Sequence, residues 1–163
     1  MPPALRDRHA LVTGGSSGIG LALVRRLDGL GTRVSVVALD DGDLAALRAS
    51  LPNVHAVGAD LANREEANAA VASCVERHGP VDLLVTCAGT VHPGYFERLS
   101  DDVLEREMRV DYFGTLWPIR AVLPSMLERE RGTIVAISSF AALVGVFGMG
   151  AYAPPKYAIR GLC

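Results

Sequence analysis

Residues 10–20 read Ala-Leu-Val-Thr-Gly-Gly-Ser-Ser-Gly-Ile-Gly and predict how the chain begins to fold. The apolar run Ala10–Val12 is typical of a buried parallel strand, and the apolar spacing after Gly18 is typical of a helix packed on a sheet. Between them, Gly14 allows a tight turn from strand to helix, as does Gly20. The stretch therefore predicts the first strand, turn and helix of an α/β fold.

The same turn has the chemistry of an anion site. Without a β-carbon, Gly14, Gly18 and Gly20 let the main chain approach a pyrophosphate, and the helix start offers unpaired N–H groups and the positive end of its dipole. Ser16 and Ser17 add hydroxyl donors. The alternative is a plain glycine-rich turn without a ligand, because short glycine motifs also arise by chance.

Composition limits the classes of protein that this chain can represent. A chain of 163 residues with a net charge of −2 and no basic cluster fits one domain, 1–163, and argues against a nucleic-acid surface. The three cysteines and four histidines have neither disulfide nor metal-ligand spacing. The N-terminus has no apolar core of a secretory signal. We expect reduced thiols in a cytoplasmic protein without a metal.

Apolar runs alternate with helical patterns along the chain, which predicts a doubly wound, Rossmann-like parallel sheet with helices on both faces. Right-handed crossovers would place the first and fourth strands side by side, so that Gly14 and the segment 86–89 flank one crevice. The predicted strands are Ala10–Val12, Arg33–Leu39, Val54–Ala59, Val81–Thr86 and Gly132–Ser138. The first predicted helices are Gly18–Leu30, a short helix that ends near Ser50, and a helix from Asn63 to about His78. The region from Ser100 to Arg129 is predicted as two helices that meet near Asp111, and a last helix begins at Tyr152.

The uncharged stretch from Gly132 to Pro155 is long enough to span a bilayer if it were helical. Its glycines, serines and paired prolines favour instead a buried strand followed by a glycine-rich loop. We therefore expect no transmembrane segment.

Three polar residues near the end of the chain form a candidate catalytic group. Tyr152 and Lys156 are four apart and share one helix face, and Ser139 directly follows the predicted fifth strand. A phenol in water keeps its proton to about pH 10, and a neighbouring ammonium favours the phenolate. Tyr152 could then act as general acid or base toward a carbonyl/alcohol pair, with Ser139 hydrogen-bonded to the substrate oxygen. A solvated helix face is the alternative for the Tyr-x-x-x-Lys pair.

These motifs, in this order, resemble the short-chain dehydrogenase/reductase family over the whole chain. The segments 79–89 and 145–162 resemble in particular the 3-ketodihydrosphingosine reductase-like group. The matching motifs are Thr13-Gly14-Gly15-Ser16-Ser17-Gly18-Ile19-Gly20, Cys87-Ala88-Gly89, Ser138-Ser139 and Tyr152-x-x-x-Lys156.

The resemblance implies a nicotinamide-dependent oxidoreductase that acts on a small-molecule carbonyl or alcohol as a homodimer or homotetramer. Ser139, Tyr152 and Lys156 would be catalytic, and Lys156 would also bind the nicotinamide ribose. The glycine-rich turn from Gly14 to Gly20, including Ile19, would bind the cofactor. Asp60 and Leu61 would contact its adenine, and Ala88 and Gly89 would lie along its ribose.

The chain also departs from the family pattern. Asp111 occupies the place of a catalytic Asn and cannot donate amide hydrogen bonds, and Pro155 immediately precedes Lys156. Family members continue well beyond the fifth strand, so that strand would be left as an exposed apolar edge here. A dinucleotide-binding module without turnover therefore remains an alternative, as does a purely structural protein.

The end of the second strand bears on the choice between NAD and NADP. NADP-preferring relatives usually have an Arg where Leu39 stands, and Asp40 and Asp41 follow. A 2′-phosphate would meet negative charge there and no bidentate partner. The sequence weakly favours NAD, whereas the resemblance to reductases favours NADPH.

Overall fold

Five parallel strands form one sheet in the order β3-β2-β1-β4-β5. A computed structural model describes residues 5–163. The strands are β1 His9–Thr13, β2 Arg33–Ala38, β3 His55–Gly58, β4 Leu83–Thr86 and β5 Thr133–Ala136. The helices are α1 Gly18–Asp28, α2 Gly42–Ser50, α3 Arg64–His78, α4 Asp101–Glu107, α5 Gly114–Glu128 and α6 Ala153–Leu162.

The two faces of the sheet carry two separate apolar cores. Successive side chains of a strand point to opposite faces, and in β1 Leu11 packs toward α3 and α5 whereas Val12 packs toward α1 and α2. The prediction of a doubly wound sheet with helices on both faces is confirmed. All five residues of β1 are buried, as expected for the central strand.

The prediction that β1 and β4 are neighbours is also confirmed, with Thr13 paired to Thr86. At their carboxyl ends, Thr13 Oγ1 accepts hydrogen bonds from the N–H groups of Cys87 (3.2 Å) and Ala88 (3.3 Å). Gly14 follows with φ +63°, and a β-carbon there would lie 2.6 Å from Ala88 Cα. The two strand ends therefore approach so closely that only glycine fits at position 14.

The long helical region divides at a π-helical segment, Met108–Phe113, between α4 and α5. The prediction of two helices that meet near Asp111 is thus confirmed, with Asp111 inside the segment. π-Helical turns are uncommon and recur at functional sites. Here the segment leaves Asp111 fully buried, and α6 packs against it.

In the segment from Gly132 to Pro155, a strand followed by a loop is present as predicted, and the loop contains a 3-10 turn at Phe140–Ala142. The prediction that this strand is buried is wrong, because β5 is one of the two edge strands of the sheet and none of its residues is buried. Its Val135 is 40% exposed, so the expected apolar edge is present. Within residues 5–163, none of the helices has both the length and the apolar character needed to cross a bilayer.

A buried histidine closes the opposite end of the sheet. His9 Nδ1 lies 2.7 Å from the Gly79 carbonyl oxygen and therefore donates to it, which leaves Nε2 to accept from the Ser35 hydroxyl at 2.9 Å. The ring of His78 packs edge-on against it at 5.3 Å. Burial lowers the pKa of His9 from the usual 6.5 to about 4, so the fold requires the neutral imidazole.

We predict that His9 by itself lowers the free energy of unfolding as the pH drops from about 6.5 to about 4. In this window the unfolded chain binds a proton that the folded chain excludes from His9, which amounts to about 3 kcal/mol in total. Because the raised pKa of the buried Glu107 acts in the opposite sense over the same window, the contribution of His9 is measured as a difference between chains. Urea unfolding at closely spaced pH values gives the slope for each chain. The slope of His9→Gln should differ from that of the unmodified chain by the contribution of His9, whereas His92→Gln, at an exposed histidine, should keep the slope of the unmodified chain. An equally steep slope in both variants would contradict this assignment.

Candidate active site

A cleft of about 690 Å³ opens at the carboxyl ends of β1, β2 and β4. This volume lies within the range of small-molecule and cofactor sites, ~300–1,000 Å³. Eight residues predicted for the cofactor line it: Gly14, Ser16, Ser17, Leu39, Asp60, Leu61, Ala88 and Gly89. The structure thus brings together most of the predicted residues from four separate segments.

The floor of the cleft is the start of α1. Ser17 is the N-cap of this helix, yet its side chain makes no capping hydrogen bond, and no acidic residue occupies the first turn. The Ser17 side chain therefore leaves the first N–H groups of α1 uncapped, apart from the N–H of Gly20, which interacts with the Cys87 sulfur, and the cleft-lining Ser16 and Ser17 add hydroxyl groups. Because such groups bind anions, this end of the cleft fits a pyrophosphate.

Gly18, Ile19 and Gly20 belong to the same turn but do not line the cleft. Gly18 adopts φ +51°, and a β-carbon at Gly20 would overlap the carbonyl oxygen of Gly14. Both glycines therefore serve the shape of the turn, while Ile19 is 69% exposed. The cofactor role predicted for these three remains a prediction.

The acidic residues after β2 point in different directions. Asp40, predicted for the cofactor, is not among the cleft residues: its Oδ1 lies 2.8 Å from Arg48 Nη1, and its side chain packs on Gly58. Asp41 and Asp43 line the cleft instead. The Asp41 carboxylate also caps α2 by accepting from the N–H groups of Asp43 and Leu44.

The far wall of the cleft depends on the start of α3. The Asn63 side chain caps this helix by accepting from the N–H groups of Glu65 and Glu66, and the Glu66 carboxylate accepts from the N–H of Asp60 at 2.9 Å. Asp60 Oδ1 accepts from the N–H of Ala62. These bonds fix the loop that carries Asp60 and Leu61 into the cleft.

The predicted catalytic group lies deeper, on the side of Gly89 that faces α6. Lys156 is only 5% exposed, and its Nζ lies 2.8 Å from Oδ1 of the fully buried Asp111. The same ammonium lies 5.4 Å from the centre of the Tyr152 ring. The structure therefore brings Asp111, Tyr152 and Lys156 together. An Asn at 111 would offer a donor to this neighbourhood, whereas Asp111 accepts from Lys156 and, at 3.4 Å, from the N–H of Thr90.

Two serines that follow β5 make different hydrogen bonds. Ser138 Oγ donates to the Lys156 carbonyl oxygen at 3.1 Å and ties α6 to the sheet. Ser139 Oγ accepts from the N–H of Ala141 at 3.2 Å, which leaves its hydroxyl hydrogen free to donate to another group.

The prolines before Lys156 do not disturb the helix. Pro154 and Pro155 are the second and third residues of α6, in its first turn. The first N–H groups of a helix have no partner within it, so a proline there removes no helical hydrogen bond. Lys156 accordingly reaches Asp111.

Three charged residues at or beside the candidate site were not predicted from the sequence. Glu107, only 2% exposed, lies beside Asp111, and Arg106 and Arg109 line the cleft. The spacing of four between Glu107 and Asp111 was the available signal, but charged residues on a helix usually indicate a solvated face. Conversely, burial raises the pKa of the Cys87 thiol, which agrees with a packing role for that residue.

Residues 5–163 contain no group of three or more His, Cys, Asp and Glu side chains arranged to hold a metal ion. The cleft and the polar group beyond Gly89 are the candidate site in this part of the chain.

The family model for short-chain dehydrogenases matches residues 8–163, so the chain belongs to the short-chain dehydrogenase/reductase family. It is 36% identical to a 3-dehydrosphinganine reductase of Danio rerio over 99% of this chain and 51% of that protein. Among solved structures, LigO from a Sphingobium strain has a TM-score of 0.93 at 32% identity, covering 99% of this chain and 62% of LigO. A variant of the actinorhodin polyketide ketoreductase solved with NADPH has a TM-score of 0.90 at 35% identity, and the match covers 95% of this chain and 62% of the ketoreductase. The chain spans about half the length of the sphingolipid reductases it matches.

We predict that Gly89→Ala lowers the free energy of unfolding of the protein. A β-carbon at this position would lie 2.5 Å from Asp111 Oδ1 and 3.2 Å from Lys156 Nζ, so the ion pair would have to move. Overpacking of this kind costs about 1–3 kcal/mol, which chemical denaturation measures directly. Gly42→Ala is the matched control, because a β-carbon there meets nothing within 4 Å. Equal stability of the two variants would show that the Asp111–Lys156 pair adapts without cost.

Proposed function

We propose that this chain carries the cofactor-binding and catalytic residues of an oxidoreductase that interconverts a carbonyl and an alcohol. One observation carries the proposal: the cleft at the ends of β1 and β4 adjoins a buried Lys156–Asp111 pair beneath the ring of Tyr152. A nicotinamide dinucleotide, when bound, would supply or accept the hydride. The remaining chemistry, which is proton transfer, belongs to the protein.

The proposed cofactor contacts follow the chemistry of the cleft. Ser16, Ser17 and the start of α1 would hold the pyrophosphate. Leu61, an apolar residue next to Asp60, would contact the adenine, and Ala88 and Gly89 would lie along a ribose. In this proposal Lys156 binds the nicotinamide ribose, for which its ammonium offers three donors, one of them used by Asp111.

The proposed proton chemistry is centred on Tyr152. As general acid it would protonate the oxygen of a carbonyl that is being reduced, and as base it would take the proton of an alcohol. Ser139 would donate its free hydroxyl hydrogen to the same substrate oxygen and so orient it. The nearby ammonium of Lys156 would stabilise negative charge on the phenol oxygen.

One observation favours a second candidate, a dinucleotide-binding module without turnover. Asp111 balances the charge of Lys156 and occupies the place of the family's catalytic Asn. If this pair holds the ammonium away from the phenol, the cofactor would still bind while proton transfer would be slow.

We also propose NAD over NADP as the cofactor. Asp41 and Asp43 bring carboxylates to the edge of the cleft that follows β2, where an adenosine ribose would lie. A 2′-phosphate would be repelled there. The reductase relatives and the NADPH-bound neighbour favour the opposite choice.

A cytoplasmic location and a homodimeric or homotetrameric state belong to the same proposal. The three free cysteines support the first, since reduced thiols are typical of the cytoplasm. The family resemblance supports the second.

Tyr152→Phe is predicted to lower kcat for ketone reduction at least ~100-fold, the usual contribution of a general acid. Cofactor affinity, measured by calorimetry, should change little because the ring remains. Tyr157→Phe, at an exposed tyrosine of α6, is the control and should keep full turnover.

Two other outcomes of this experiment have separate meanings. Undiminished turnover in Tyr152→Phe would exclude this phenol as the proton donor. Cofactor binding by the unmodified protein without activity on a broad ketone and alcohol panel would favour the module without turnover.

Asp41→Asn is predicted to reduce a preference for NADH over NADPH by roughly five-fold, because it removes one charge near the proposed ribose site. Asparagine keeps an oxygen that can cap α2, so stability should be preserved. Titration of both cofactors by nucleotide fluorescence measures the ratio, with Asp102→Asn, an exposed residue of α4, as control. Tighter binding of NADPH than of NADH by the unmodified protein would contradict the proposal.

A further inference from the structure

Glu107 is a buried acid that the proposed mechanism does not use. It is the last residue of α4, is 2% exposed, and lies one helical turn before the fully buried Asp111. The two carboxyl groups lie close enough for the charge of one to act on the other, and Asp111 holds the Lys156 ammonium at 2.8 Å. Three titratable groups thus form one buried row from α4 through the π-helical segment to α6.

The row has too few donors if both acids are ionised. Among residues 5–163, no N–H or O–H group reaches Oε2 of Glu107. Two carboxylates cannot hydrogen-bond to each other, because each is only an acceptor, and two adjacent buried negative charges with one ammonium leave one charge unbalanced. A proton on one acid removes both problems at once.

We propose that Glu107 is a positioning residue of this site: as a neutral carboxylic acid it donates its hydrogen to Asp111 and so orients the carboxylate that anchors Lys156 beneath Tyr152. Asp111 is the better place for the negative charge, since it alone of the two acids contacts the ammonium. The role belongs to Glu107, which none of the family motifs named above includes.

The electrostatics of the row agree with this assignment. Burial, followed by the neighbouring charge of Asp111, raises the pKa of Glu107 to about 7. The charged groups that oppose this shift are Lys156 from α6 and Arg106 from α4 itself. Burial also raises the pKa of Asp111, but the hydrogen bond and charge of Lys156 counter it.

The position of Lys156 should therefore depend on pH. Below pH ~7 the neutral Glu107 carboxyl donates a hydrogen bond to the Asp111 carboxylate and fixes its orientation. Above that pH Glu107 is ionised, donates no hydrogen bond and repels Asp111. The anchor of Lys156 should therefore loosen as Glu107 ionises. The effect on cofactor binding rests on the proposed function, whereas the titration of Glu107 itself does not.

The first test follows the side-chain carboxyl carbons of the unmodified chain by NMR from pH 4 to 9, without cofactor. A Glu107 signal that titrates near pH 7 supports the proposal. A signal that titrates near the ordinary glutamate value of about 4.3 overturns it, whatever the chain does with nicotinamide cofactors.

The second test compares two variants in NADH binding at pH 6 and pH 8. Glu107→Gln keeps an N–H donor at every pH, so its affinity should match the unmodified chain at pH 6 and exceed it at pH 8. Glu107→Leu has no donor, and its affinity at pH 6 should be roughly five-fold weaker, the equivalent of one lost hydrogen bond. Glu105→Gln, at an exposed glutamate of α4, is the control and should follow the unmodified chain at both pH values.

The two variants also separate positioning from mere packing. If Glu107→Gln and Glu107→Leu are equally impaired at pH 6, the proposal fails, because a donor would then be irrelevant. If the unmodified chain does not bind NADH at all, the proposed function fails, and the NMR titration alone decides the role of Glu107.

Discussion

A buried ammonium group imposes the main constraint on this structure. Lys156 is almost fully buried, and a buried charge is tolerated only when it is paired. Its counter-charge, Asp111, comes from the π-helical segment, and Gly89 leaves the space in which the two meet. Ser138 fixes the backbone of Lys156 to the end of β5. One ion pair thereby joins the ends of two strands to two helical segments, and Gly89 beside it lines the same cleft as Ser16 and Ser17.

Much of this arrangement could be predicted from the sequence, because it depends on local patterns. Right-handed crossovers in a doubly wound sheet predicted that β1 and β4 are neighbours, as the structure has them. The spacing of four residues placed Tyr152 and Lys156 on one side of α6, as the structure has them. Strand positions followed from apolar runs, although their ends differ by up to two residues, as at β5, which is shorter than predicted at both ends.

The remainder depends on contacts between residues that no local pattern links. Asp40 turns from the cleft because Arg48 and Gly58 lie beside it in the fold. Glu107 resembles any charged residue of a solvent-facing helix until the π-helical segment brings it inside. The concern about Pro155 was resolved by the position at which α6 begins, and helix ends are poorly defined by sequence alone.

The π-helical segment has a consequence for how this site tolerates change in chain length. A wider turn holds one more residue than the regular helix would, so α4 and α5 are set relative to each other by a single extra backbone unit. Loss of one residue from positions 108–113 would therefore be absorbed by a return to ordinary α-helical winding, and α4 and α5 would keep the faces that they bury. The geometry of the candidate site thus depends on the width of this turn as well as on the residues in it.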